Sequence, residues 1–180
     1  LEHQAVALPD HAGDALPTMR DVILHTRIAF IPCPAPHLSP SDKTNIIEAE
    51  KIADAVYEIY NINKVGFDVD KTIGIIVPYR NQIATIRNAI DRKGVDILHN
   101  ITIDTVERYQ GSQRDYILYG FTIQRPYQLN FLTNNTFVED GMIIDRKLNV
   151  AMTRARLHLL MFGNPSLLRQ NVTFSRLLDY

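Results

Sequence analysis

The sequence predicts an α/β domain built on a mainly parallel sheet with helices on both faces, and three observations carry that prediction. Short runs rich in Ile, Val, Phe and Leu recur at residues 27–31, 72–77, 101–106, 115–123 and 157–162. Helical stripes separate several of them: Ile46, Ala49, Ile52, Ala53, Val56, Ile59 and Tyr60; then Ile83, Ile86, Ala89 and Ile90; then Leu148, Ala151, Met152 and Ala155. Strands alternating with helices imply right-handed crossovers, which make neighbouring strands parallel and cover both sheet faces. With 180 residues, 46% of them apolar, the chain is long enough for one domain with a real core.

Residues 1–25 mix Pro9, Gly13 and Pro17 with polar groups and read as an irregular lead-in with a short strand at Val22, Ile23 and Leu24. A start without cap or pattern reads as cut from something longer, so 26–180 is taken as the domain. The strand at 27–31 is stopped by Pro32, Pro34 and Pro36. A polar loop over 39–45 leads into the first long helix, with Asp42 or Thr44 as N-cap and Glu48 and Glu50 near its positive end. The strand at 72–77 lies between Asp70 and Pro78 and shows no polar alternation, the mark of burial on both faces. Lys93-Gly94 ends the next helix. Residues 124–145, with Asn130, Asn134, Asn135 and Gly141, form a long connection suited to a mobile loop or a small excursion.

Composition excludes several classes. The net charge of −1, from 19 basic and 20 acidic residues, carries no global signature of nucleic-acid binding, so any such binding must be local. The single cysteine, Cys33, rules out an internal disulfide and a Cys cluster, suits a reducing compartment, and has no adjacent base to make it a nucleophile. No run of 18 apolar residues and no basic-then-apolar start appear, so neither a membrane span nor a signal peptide is indicated, and a cytoplasmic monomer is expected. Asn134-Asn135-Thr136 matches a glycosylation sequon by chance on this reading. The six histidines, at 3, 11, 25, 37, 99 and 158, make no metal or acid/base spacing, and His158 reads as a core or edge residue of the last strand.

The most informative stretch is Leu148-Asn149-Val150-Ala151-Met152-Thr153-Arg154-Ala155-Arg156, running directly into an apolar strand. Read as one helix, it sets Arg154 and Arg156 about 200° apart around the axis, too far to grip one small anion together. On chemistry alone they suit a solvated last turn that favours the helix dipole. The whole string, however, resembles motif VI of superfamily 1 helicases, in the 5′→3′ subgroup that includes RNA-surveillance and Okazaki-processing helicases. The resemblance implies that Arg154 reaches the γ-phosphate of ATP held between two RecA-like domains. A guanidinium stays charged and stabilises a transferring phosphoryl group.

Further matches follow in order. Pro78-Tyr79-Arg80-Asn81-Gln82 is an ordinary strand-to-helix turn by composition, yet it resembles the P-Y-R-x-Q turn of motif IV. That likeness puts Tyr79 beside the adenine base, Arg80 on the terminal phosphates and Gln82 in the nucleotide site. The string 104–115 resembles motif V, commonly T-V-D-x-F-Q-G-x-E-x-D, which implies that Thr105 grips the nucleic-acid backbone. Gly111 then allows close approach beside the nucleotide, and Arg108 is either a second backbone contact or a surface charge. Gln113 stands where the family usually has an acid on the ribose; it still accepts a hydrogen bond, without charge. Ser41 to Ala49 resembles the S-x-x-N-x-x-E-A stretch, placing Glu48 near the nucleotide, with a capped helix start as the equally good alternative.

The resemblance therefore implies a three-layer RecA-like domain, the second of two, covering residues from about 40 to 165. No G-x-x-x-x-G-K-[ST] and no acidic Mg²⁺ pair occur, so the P-loop and the Mg²⁺ ligands are expected on a first RecA-like domain preceding this chain. The fragment alone is expected to be inactive. Joined to that domain, with single-stranded DNA or RNA as partner, it would complete an ATP-driven 5′→3′ translocase. Two other readings stand beside it: a decayed RecA-like module that docks protein or nucleic acid, hinted at by Gln113, and a small-molecule α/β enzyme, which would need a Gly-rich phosphate loop or a catalytic His.

Overall fold

The computed structural model describes residues 16–36, 39, 41–109, 113–133, 136–139 and 142–179. Its centre is a five-stranded sheet, all parallel, in the order β1-β7-β4-β2-β3. The strands are β1 (Ile28–Pro32), β2 (Ile73–Val77), β3 (Thr102–Thr105), β4 (Arg114–Gly120) and β7 (Ala155–Gly163). β2, β4 and β7 are the inner strands, and β2 is buried along its whole length, as its unbroken apolar run predicts.

The pleat sorts the core into two layers. Ile73, Ile75 and Val77 of β2, Tyr116 and Leu118 of β4, and Leu160 and Phe162 of β7 face one side. They meet α1 (Met19–His25), α2 (Ile46–Ile62) and α3 (Arg80–Asp91) through Ile23, Ile52, Val56, Ile59, Ile86 and Ile90. Ile76, Ile117, Tyr119, Leu159 and Met161 face the other side. There α4 (Gln128–Thr133), α5 (Arg146–Arg154), α6 (Pro165–Leu168) and α7 (Val172–Leu178) contribute Leu129, Leu132, Leu148, Ala151, Leu168 and Phe174. Helices therefore cover both faces, the predicted three-layer RecA-like class.

Several local expectations are corrected. The strand expected at Val22 to Leu24 is helical. Thr18 and Asp21 form a capping box, with the Asp21 amide on the Thr18 hydroxyl at 3.2 Å and the Thr18 amide on the Asp21 carboxylate at 2.9 Å. Met19, Val22 and Ile23 then fall on one face against the core. The cap of α2 is Asn45, not Asp42 or Thr44: its side chain accepts from the Glu48 amide at 3.0 Å, while the Thr44 hydroxyl turns back to the Ser41 carbonyl. The long connection is a small excursion rather than a bare loop, holding α4 and an antiparallel pair, β5 (Thr136–Glu139) and β6 (Met142–Asp145). Gly94, in the left-handed region at φ 70°, follows α3 where the Lys93-Gly94 signal puts the stop.

Just beyond β3, the Tyr109 ring lies directly on Gly74 of the neighbouring β2. A Cβ at Gly74 would sit 1.9 Å from the Tyr109 hydroxyl oxygen and 2.9 Å from its ring carbon Cζ. We predict that Gly74→Ala destabilises the domain by roughly 1–3 kcal/mol, the range for overpacking a filled core. In a double-mutant cycle read by urea denaturation, Tyr109→Phe should recover part of that loss, because one of the two clashing atoms is gone. Additive single effects would contradict the contact.

Candidate functional site

The parallel sheet gives the domain two ends of different chemistry. At the carboxyl end, Val77 of β2 pairs with Thr105 of β3, so Arg80 and Arg108, each three residues further on, leave the sheet at the same end. Both side chains are exposed. Thr105 is buried, and its carbonyl accepts from the Arg108 and Tyr109 amides at 3.0 and 2.8 Å. At the amino end, Arg114 pairs with Ala155, which brings Gln113 beside Arg154; the Gln113 amide nitrogen donates to the Thr153 carbonyl at 3.4 Å. That bond leaves the Gln113 carbonyl oxygen as an acceptor.

The structure thus joins Arg154 with Gln113, and Arg80 with Thr105 and Arg108, but it does not bring Arg80 and Arg154 together. Along the strands their backbones are separated by roughly 20 Å at about 3.3 Å per residue, with Arg80 at the carboxyl edge and Arg154 at the amino edge. The Nε of Arg154 is buried with no hydrogen-bond partner among the described residues, and a buried charged donor left in that state costs free energy until something accepts from it. Arg156 is not on the helix with Arg154. α5 ends at Arg154 and β7 begins at Ala155, so Arg156 is a strand residue paired with Asp115 at 3.3 Å. Met152, on α5 and expected on its apolar stripe, is 45% exposed, and Leu157 is 47% exposed because the buried part of β7 starts only at Leu159. His158 takes the half-buried start of that strand, donating from Nδ1 to the Thr26 carbonyl at 2.8 Å and stacking on Tyr116 with centroids 4.6 Å apart. Gly111 lies outside the described residues.

Glu48 and Gln82, expected at the nucleotide, are both fully buried at the carboxyl end. Gln82 spends its amide internally, accepting from the Asn45 amide and donating to the Asn45 carbonyl, each at 2.9 Å, and reaching Glu48 at 3.4 Å. The Glu48 carboxylate accepts from the Thr122 amide at 2.9 Å and the Thr122 hydroxyl at 2.8 Å. Both residues are fully buried in this domain, and the hydrogen bonds they make are internal. Thr122 needs that help: among the described residues it is the non-glycine residue at positive φ, 51°, an unfavourable conformation for a β-branched side chain. Gly120 makes room, since a Cβ there would stand 2.6 Å from the Glu48 carboxylate.

Tyr79, expected beside adenine, is half-buried, stacks on Phe131 at 5.1 Å and 18°, and accepts from Gln128 at its hydroxyl at 3.3 Å. Burial raises its pKa. Gln128, Phe131 and Thr122 are residues that sequence reasoning missed, and only the length of the 124–145 connection hinted at the first two. Lys147 was also missed. Its Nζ sits 3.6 Å over the Phe131 ring, 3.2 Å from the Phe131 carbonyl and 3.4 Å from Glu107. Cys33 is buried, and desolvation pushes its thiol up to about 12, which makes it a structural residue. No helix among the described residues is long and apolar enough to cross a membrane.

Comparison with known proteins decides the family. Residues 20–166 match the family described as AAA domain. The chain belongs to that family. It is 35% identical over 139 residues to helicase sen1 of Schizosaccharomyces pombe, covering 75% of this chain and 8% of that protein. It is 35% identical over 120 residues to the DNA replication ATP-dependent helicase/nuclease JHS1 of Arabidopsis thaliana, covering 67% of the chain and 8% of the relative. A third relative is the Arabidopsis regulator of nonsense transcripts 1 homolog, 33% identical over 116 residues, with 62% and 8% covered. These relatives bear out the resemblance to superfamily 1 helicases. The chain spans 8% of the length of each of the three.

Burial raises the Glu48 carboxyl from its ordinary 4.5 to about 7, against the lowering effect of the Thr122 and Gln82 hydrogen bonds. Between those two values the folded domain keeps a proton that the unfolded chain has released. Stability from this group is therefore largest below about pH 4.5, falls as pH rises towards 7, and levels above it. We predict that urea denaturation of wild type and Glu48→Gln across this range shows a wild-type decline, on the order of 3 kcal/mol at most, that the variant lacks. Parallel profiles for the two proteins would refute the assignment.

Proposed function

We propose that this chain is the second RecA-like motor domain of an ATP-dependent nucleic-acid helicase or translocase. The observation that carries the proposal is Arg154: it ends the helix of the motif VI string, beside Gln113, with a buried Nε that lacks a partner among the described residues. In the complete polypeptide, ATP would lie between this amino end and a first RecA-like domain that contributes the phosphate loop and holds Mg²⁺. Arg154 then stabilises charge on the transferring phosphoryl group and is the catalytic residue. Gln113 accepts from the ribose, and Gly111 allows the approach of the backbone. This chain supplies half of that site and is expected to hydrolyse nothing alone.

Nucleic acid belongs at the other end. Arg80, Thr105 and Arg108 share the carboxyl edge of adjacent strands, which supports a backbone grip by all three. Arg80 is accordingly assigned to nucleic-acid phosphates rather than to ATP. Closure of the two domains on ATP and reopening after hydrolysis would move this grip along a single strand, in the 5′→3′ direction that the family resemblance implies.

Two substitutions separate the ends. In the complete polypeptide, Arg154→Ala should lower nucleic-acid-stimulated ATP hydrolysis by about 10³-fold or more, the typical worth of an arginine finger. Arg80→Ala should leave the rate at saturating nucleic acid within a few-fold of wild type, while weakening binding and reducing the salt slope by about one phosphate contact. A wild type without ATPase activity, or an Arg154→Ala variant with full activity, would favour the docking-module reading. A thousand-fold rate loss in Arg80→Ala would return that residue to the nucleotide.

A further inference from the structure

The excursion between β4 and α5 puts an aromatic cluster at the carboxyl end that the grip described above does not use. Tyr127 is 63% exposed and its hydroxyl donates to the Asp42 carboxylate at 3.1 Å, so a large ring is held in solvent by a tether at its far end. Asp42 also meets Arg125 at 3.7 Å. The next residue, Gln128, is almost fully buried and ties the turn to the rest of the end. Its nitrogen donates to the Asp42 carbonyl at 2.8 Å and the Tyr79 hydroxyl at 3.3 Å, and its oxygen accepts from the Gln124 and Arg125 amides at 2.9 and 3.0 Å. Phe131, one turn further along α4, stacks on Tyr79 and is itself covered by Lys147, which reaches Glu107. Tyr127 is thus fixed relative to Tyr79-Arg80 on one side, and the Phe131–Lys147–Glu107 chain leads to Arg108 on the other.

An exposed aromatic ring costs free energy in water unless it meets a partner, and a tethered one has already lost the rotamer freedom that binding would otherwise remove. Arg125 shares Asp42 with Tyr127, Lys43 follows Asp42 in the chain, and Arg80 and Arg108 leave the same end of the sheet; Arg80, Arg108 and Lys43 make no ion pair among the described residues. Cations that track a sugar–phosphate backbone beside a ring that offers its face are the combination by which unpaired bases are held without sequence preference. We infer that Tyr127 is a base-stacking subsite for single-stranded nucleic acid, adding a contact to a base where Arg80, Thr105 and Arg108 address only the backbone. Gln128 is the positioning residue, since its bonds to Asp42 and Tyr79 fix the backbone beside Tyr127. The inference rests on the nucleic-acid reading of this end and adds the part of the strand that is bound there.

The test is fluorescence anisotropy of the complete polypeptide with a fluorescein-labelled single strand, in whichever of RNA or DNA binds the wild type, and with an abasic strand of the same length. Tyr127→Ala should weaken binding of the base-bearing strand by roughly 5- to 100-fold, the worth of one base–aromatic stack, and binding of the abasic strand by about 2-fold or less. Tyr127→Phe, which keeps the ring and loses the tether to Asp42, should retain most of the affinity. Because both strands are measured on the same variant, a folding defect would lower both and cannot imitate the expected difference. Equal losses on the two strands, or no loss on either, would overturn the stacking subsite while leaving the backbone grip intact. A wild type that binds neither strand would overturn the nucleic-acid reading itself, before any variant is made.

Discussion

One buried carboxylate holds the carboxyl end of the sheet together. Glu48 enters from the first turn of α2, a helix that a polar loop connects to β1, and accepts both polar hydrogens of Thr122 beyond the end of β4. Gln82 approaches the same carboxylate from α3 and ties it to the cap residue Asn45. Three separate chain segments therefore converge on a carboxyl group whose ionisation burial makes costly, and the arrangement persists because each oxygen has donors and because Gly120 leaves the space. The positive φ of Thr122 is the visible cost. It redirects the chain after β4 into the turn that carries Gln128 and Tyr127, so the aromatic cluster at the rim depends on an interaction that solvent never touches.

The parallel arrangement separates two kinds of chemistry by strand direction alone. Residues that follow strands gather at one end and residues that precede them gather at the other. Arg80 and Arg108 follow β2 and β3; Gln113 and Arg154 precede β4 and β7. Motif spacing along the chain carries no information on this division, because Thr105 ends β3 and Gln113 stands just before β4, so neighbours in one motif lie at opposite ends of the sheet.

The layers and most elements were legible because their cause is local. The unbroken Ile/Val run of β2 and the stripe of α2 each specify an element and its burial without reference to the rest of the fold. Errors arose where a short signal had competitors. Val22, Ile23 and Leu24 read as a strand until the Thr18–Asp21 capping box is weighed, and Asn45 outcompeted Thr44 as a cap because the Thr44 hydroxyl bonds back to Ser41. The site was legible as a set of motifs but not as a geometry. Glu48 and Gln82 are polar residues in motif-like strings, and nothing in such a string distinguishes an atom offered to a ligand from one spent inside. Tyr127, Phe131 and Lys147 lie in or beside a connection with no periodic pattern, and their association depends on tertiary contacts alone.

The absence of any linker between α5 and β7 bears on the mechanics of the domain. Arg154 is the last helical residue and Ala155 the first residue of a strand clamped between β1 and β4 by parallel ladders. At Ala155 only the β4 ladder holds the strand, and it shifts register between Arg114 and Tyr116; the β1 ladder joins at Leu159. From Leu159 both rows run to the far rim, where the Gly163 carbonyl accepts from the Cys33 amide at 2.6 Å. β7 is therefore anchored as a stiff strut at its carboxyl half, and Arg154 is mounted on the half that a single ladder holds.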